Sequence, residues 1–202
     1  ESDLPRLHAG LAAAGLAATG AERVVDVTVC PGAETCRGAV TSGKPLARAL
    51  EAELAGLAAD HDDIARLWIA VSGCPNSCSR HQVADIGLYG TAVRHGDRWA
   101  PHYQILIGNS VSRPPVFGAP LLRIPARRTP QAVAFLLGEY HRRRLGGEPL
   151  LAYVLRAGGS LVRALEERFA VLPGYEAAPD LYRDLESDQP YQPGTAAGPP
   201  EC

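Results

Sequence analysis

Four cysteines stand in two tight pairs, and thiols so grouped are donors for a soft metal. Cys30 and Cys36, in VTVCPGAETCRGAVT, have five residues between them, and Cys74 and Cys78, in AVSGCPNSCSRHQVADIGLYG, have three; 37 residues separate the pairs. Each pair follows an apolar, β-branched run, which places it where a buried strand ends and a loop begins. Pro31, Gly32, Gly73 and Pro75 lie in those loops and let backbone amides turn toward a bound object. Four thiolates delivered from two strand ends suit a soft metal centre. Zinc sites typically space cysteines by about two to four residues, so the first gap is wide for zinc. A four-cysteine iron–sulfur cluster suits the spacing better; zinc, and structural thiols or disulfides, are the alternatives. A chain of this size without a visible export signal favours reduced thiols.

The elements that must position these loops read as mixed α/β. Leu4 to Leu16 is helical, entered from Asp3 with Pro5 in the first turn. Arg23–Val29 is a strand delivering Cys30, and Leu67–Val71 a buried strand delivering Cys74. Between them, Pro45–Leu57 is an amphipathic helix whose Leu46, Leu50, Leu54 and Leu57 are core. Ala84–Tyr89 and Tyr103–Ile107 are neighbouring strands joined through the polar HGDRW turn. Thr129–Pro130 starts a helix to about Arg144, and Ser160 caps another through Phe169. The expected fold is a mixed sheet packed with helices, with the cysteines on loops at strand ends. Residues 1–22 read as an N-terminal helix, 23–170 as the main domain and 171–202 as a Pro-rich tail. Six prolines from Pro173 onward favour disorder there, a docked arm being the alternative. Cys202 is taken as incidental.

The cysteine spacings, with GCPNSC and then VADIGLYG, resemble the cluster half of the nitrite and sulfite reductases, over roughly residues 22–170. The resemblance implies a 4Fe-4S cluster coupled to sirohaem. It implies Cys30, Cys36 and Cys74 as cluster ligands, and Cys78 as the thiolate bridging to the sirohaem iron. It places Asn76 and Arg80 against the macrocycle and its carboxylates. The implied function is half of a six-electron anion reductase, nitrite to ammonia being favoured; the alternatives are sulfite to sulfide, or a non-catalytic iron–sulfur electron-transfer module. A shared thiolate makes the two centres one electron reservoir. Cations must then stabilise the bound anion.

In that family the cations come mainly from the other half. This chain has 19 Arg and one Lys; around the cysteine loops Arg37, Lys44 and His81 are the weak candidates for substrate contacts. A start at Glu1 and no Met lead to the expectation of a piece of a longer reductase, or else a subunit completed by a partner chain. Arg123, Arg127, Arg128 and Arg142 to Arg144 form a candidate docking patch for an acidic electron donor such as ferredoxin, against the simpler reading of a solvated helix end. His61, His95 and His102 read as solvated turn residues. A net charge of −2 and a pI near 6.3 argue against nucleic acid. No apolar run reaches membrane-spanning length, and a cytoplasmic location is expected.

Overall fold

The computed structural model describes residues 2–17, 20–109 and 116–194; Cys202 lies outside them. Ten α-helices and strands carry the described fold, in the order α1 (Leu4–Ala13), β1 (Thr28–Val29), α2 (Gly43–Asp60), α3 (Asp62–Ala65), β2 (Ile69–Ser72), β3 (Ile86–His95), β4 (Arg98–Asn109), β5 (Val116–Pro125), α4 (Thr129–Arg143) and α5 (Leu150–Leu165). The strands form one sheet in sequence order. β1, β2 and β3 run parallel, while β3–β4 and β4–β5 are antiparallel hairpin neighbours. The expected mixed α/β sheet is what the chain forms.

Its parallel part depends on α2. Two parallel strands need a long crossover, and α2 supplies it between β1 and β2. Leu46, Leu50 and Leu54 recur at helical spacing and are fully buried, as are Ile69, Ile86, Ile105, Ile124, Leu136 and Leu137 from the sheet and α4. The crossover brings both strand ends, and so both cysteine pairs, to the same end of the sheet.

Several boundaries differ from expectation. The strand expected at Arg23–Val29 shrinks to Thr28–Val29, because residues 20–26 turn instead: Arg23 N–H donates to Gly20 O at 3.1 Å and Asp26 N–H to Arg23 O at 2.7 Å. Ser160 starts no helix; it lies inside α5 and donates to Ala157 O at 2.8 Å. A kink at Gly158 (φ 53°) interrupts that helix. α1 buries none of its residues, and Leu4, Leu7 and Leu11 stay exposed.

The tail is not disordered over residues 171–194. Leu181 and Tyr182 pack with Ala100, Leu172, Tyr175 and Ala178 into a second, small core, and the Arg98 guanidinium lies 4.4 Å over the Tyr175 ring. Aromatic side chains supply enough apolar contact to hold a Pro-rich segment with no long helix or strand of its own.

Candidate metal centre

Cys30 follows β1 and Cys74 follows β2, two residues past its end. Beyond Cys30 the chain makes a 3-10 turn, Gly32–Glu34, before reaching Cys36. Gly32 has φ +69°, and a Cβ there would lie 2.3 Å from the Gly43 nitrogen, so the turn presses on the start of α2 in a way that no other residue permits. The second loop turns sharply at both sides of its last cysteine: Ser77 and Arg80 hold φ of 63° and 61°, left-handed values that a side chain adopts only where the surroundings impose them.

Two sets of bonds join the loops. Val40 N–H and Thr41 N–H both donate to Gly73 O, at 2.7 and 3.0 Å. Gly73 N–H in turn donates to Cys30 Sγ at 3.1 Å. The base of the second loop is pinned by a buried polar network. Ser72 Oγ lies 2.6 Å from Ser79 Oγ and 2.9 Å from His81 Nδ1, and accepts from Ser79 N–H at 3.3 Å. Burial holds the His81 imidazole below its ordinary pKa, so the ring is neutral at pH 7, and it tilts against Tyr89 at 5.1 Å.

The result is a cavity of about 260 Å³ onto which Cys30, Cys36, Cys74 and Cys78 all open, with Pro31, Arg37, Gly38, Ala39 and Asn76. Cys74 is buried, Cys30 and Cys36 are half-buried and Cys78 is exposed. Burial raises the Cys74 thiol pKa, a bond from Asn76 N–H opposes this, and the nearby sulfurs of Cys30, Cys78 and Cys36 add to it. Among the described residues, no three His, Cys, Asp or Glu side chains close round a single ion. The donors are therefore grouped but spread, which fits a polynuclear cluster that holds its thiolates apart better than a lone tetrahedral zinc. Two buried hydroxyls, Thr35 Oγ1 and Ser77 Oγ, have no hydrogen-bond partner. Each is on the residue before a cysteine of the set, where an acceptor-rich inorganic group would satisfy it.

Asn76 and Arg37 reach the cavity. Lys44, exposed on the first turn of α2, and His81, turned under its loop to Ser72, do not line it. Arg80 also stays off it, with its guanidinium 5.5 Å from the Trp68 ring, a contact that the sequence did not suggest. His102 is not solvated: it is 3% exposed, its Nδ1 is 3.0 Å from Ala100 O, and burial lowers its pKa. His95 bonds Tyr182 Oη at 2.6 Å and His61 stacks on His141 at 3.6 Å. The arginine patch is largely consumed inside the chain. Arg127 donates to Asp184 O and Ser187 O, Arg128 to Val171 O; Arg142 and Arg143 pair with Glu139, and Arg144 with Asp63.

The nitrite and sulphite reductase 4Fe-4S domain family matches residues 20–173 of this chain. A ferredoxin sulfite reductase of Mycolicibacterium paratuberculosis is 34% identical over 60% of this chain and 22% of its own length. The assimilatory ferredoxin-dependent nitrite reductase of Haloferax mediterranei is 26% identical over 80% and 28%. The solved structure of Mycobacterium tuberculosis NirA superposes with a TM-score of 0.70 at 26% identity, covering 81% of this chain and 31% of that one. The chain thus spans less than a third of the length of these relatives.

Proposed function

The chain belongs to the nitrite and sulphite reductase 4Fe-4S domain family, and from that premise we propose that it is the cluster- and sirohaem-bearing part of a six-electron anion reductase. Nitrite reduction to ammonia is the favoured reaction and sulfite reduction to sulfide the alternative. The observation that carries this is the convergence of Cys30, Cys36, Cys74 and Cys78 on one cavity at the ends of two parallel strands.

In this reading the four cysteines would hold the 4Fe-4S cluster, Cys78 would also serve as the thiolate shared with the sirohaem, and Asn76 and Arg80 would help to hold the macrocycle. Bound together, the two groups would supply a single electron reservoir that delivers electrons one at a time to the anion. The protein's own part is to fix and shield. The Gly73 amide steadies the Cys30 sulfur. Burial keeps water from Cys74, and the exposure of Cys78 leaves that thiol turned outward, as a bridging ligand requires. Neutral, buried His81 acts as a brace for the loop. Among the described residues Arg37 is the one cation on the cavity wall, too little charge for a pocket that binds an anion. The remaining cations come from residues outside this chain, in an N-terminal half or a partner subunit. The electron donor is a ferredoxin-type protein, and a cytoplasmic setting accords with reduced thiols. Among the described residues no helix is long and apolar enough to cross a membrane.

The test is an absorbance spectrum with iron, sulfide and tetrapyrrole analysis of chain purified anaerobically from cells that make sirohaem. Sirohaem bands with a cluster shoulder are expected. A cluster alone points to an electron-transfer module, and neither group overturns the proposal.

A further inference from the structure

The family match ends at residue 173, yet two residues beyond it, Asp184 and Tyr191, bond the segment that follows Cys36. Segment 40–42 is the bolt between the cysteine loops. Its amides at Val40 and Thr41 reach Gly73 O, and Thr41 O accepts from Ala33 N–H at 3.0 Å, so one short stretch holds both the first turn and the second loop. The outward polar groups of that bolt are taken by the arm and the sheet. Tyr191 Oη donates to Val40 O at 2.8 Å, and Asp184 Oδ2 accepts from Ser42 N–H at 2.8 Å. Tyr103 Oη donates to Ser42 O at 2.8 Å.

The arm is itself anchored. Asp184 is 7% exposed, and its other oxygen accepts from Leu185 N–H at 2.9 Å. Arg127 reaches from the 3-10 turn just before α4 to Asp184 O and Ser187 O, at 3.0 and 2.8 Å. Arg48 of α2 pairs with Glu186, and Tyr191 N–H closes onto Tyr182 O at 2.7 Å, joining the clamp to the small aromatic core. An ordinary solvated tail would not bury a carboxylate against a backbone amide. Burying such a group costs free energy that only a specific bond recovers.

We propose that residues 180–191 are a clamp for the cysteine loops, in which Asp184 and Tyr191 fix segment 40–42 and thereby set how firmly the two loops close on their cluster. Asp184 and Tyr191 are positioning residues: they act through the bolt and touch neither cysteine pair in any bond described above. The effect on the cluster rests on the cluster reading of the cavity; the effect on the bolt does not.

The experiment uses the full chain, reconstituted anaerobically with iron and sulfide, as wild type, Asp184→Ala, Asp184→Asn and Tyr191→Phe. Two quantities are read: the rate of cluster loss to excess iron chelator, and amide hydrogen exchange at residues 40–42 compared with β3 and β4. Losing one buried hydrogen bond of this kind opens the segment about tenfold more often. Asp184→Ala and Tyr191→Phe are therefore each expected to speed both cluster loss and exchange at 40–42 about tenfold, leaving β3 and β4 protected. Asp184→Asn keeps one acceptor oxygen, enough for Ser42 N–H or Leu185 N–H but not for both, so its rates fall between those of the wild type and Asp184→Ala. Wild-type rates in both single variants would overturn the clamp. A uniform rise in exchange over the whole chain would also overturn it, since that marks the arm as a general stabiliser. If Asp184→Ala does not fold, Tyr191→Phe, which removes a single oxygen, decides alone. If the wild type takes up no iron, the cluster reading fails, and exchange at 40–42 in the metal-free chain still decides the clamp.

Discussion

Replacing Gly90 with alanine should damage the metal centre from behind, without touching a cysteine. Gly90 lies in β3 opposite Tyr103 of β4. A Cβ there would sit 2.4 Å from Gly73 O and 2.1 Å from Thr41 Oγ1, where carbon and oxygen normally keep a full ångström more apart. The Thr41 hydroxyl is a side-chain atom that a χ1 rotation moves aside, but Gly73 O is backbone and the acceptor for Val40 and Thr41 N–H, so relief there requires the two cysteine loops to part. Overpacking of this kind costs about 1–3 kcal/mol, and weakening the two amide bonds adds about 1 kcal/mol each. The expected loss is about 3–5 kcal/mol of unfolding free energy, a large share of the roughly 5–15 kcal/mol of an ordinary domain. Urea unfolding of the metal-free chain measures the first effect, and iron per chain after reconstitution measures the second. Gly56→Ala is the matched control. That glycine is exposed in α2, and the methyl group of an alanine there would meet nothing within 4 Å, so the substitution should stabilise by roughly 0.5–1 kcal/mol. Gly90→Ala unfolding within about 0.5 kcal/mol of wild type, with full iron content, would refute the argument that the loops are locked through Gly73.

Cys36→Ser should cut bound iron sharply and lower the melting temperature of the reconstituted protein only, because the cluster ties two strand ends together; unchanged iron and sulfide would remove Cys36 from the ligand set. Cys78→Ser should alter the haem spin state and potential in addition to cluster content, whereas equal cluster loss with an unmoved haem spectrum would refute the bridge. Stability should fall with acid: His81 and His102 are both held neutral by burial, so their contribution is complete above the unfolded pKa near about 6.5 and declines below it, by up to about 1.4 kcal/mol per pH unit for each histidine. Unfolding free energies between about pH 8 and pH 5 should show that slope, and His102→Gln should reduce it; a flat profile would contradict the neutral assignments. Asp184, pushed up by burial, acts with the opposite sign, so Asp184→Asn should leave the histidine slope in place.

The gathering of four cysteines at one cavity was legible because its signals are local. Cysteine spacing and the apolar runs before Cys30 and Cys74 carry strand end, loop and donor together, and α2 declared itself through Leu46, Leu50 and Leu54. β5 escaped because VFGAPLLRIP holds a glycine and two prolines. As an edge strand beyond β4 it tolerates prolines that a central strand would not. The first half of α5 was missed because the helix was read as starting at Ser160, whereas it begins at Leu150 and continues through a kink at Gly158. His102 read as a solvated turn residue; pairing with Pro125 of β5 puts it inside a long hairpin. No sequence signal marks Asp184 or Tyr191, since their partners lie 142 and 151 residues away and a Pro-rich composition says nothing of where a segment docks.

The parallel crossover has a consequence for how the holoprotein is made. Cys30 and Cys36 lie on the near side of α2 and Cys74 and Cys78 on the far side, so a nascent chain shows an assembly factor two thiols at a time. The complete donor set exists only once the crossover has closed β1 onto β2, a pairing that non-local topology makes slow. Metal delivery therefore belongs after β2 has docked. A cluster offered earlier would meet a half-site of two thiols.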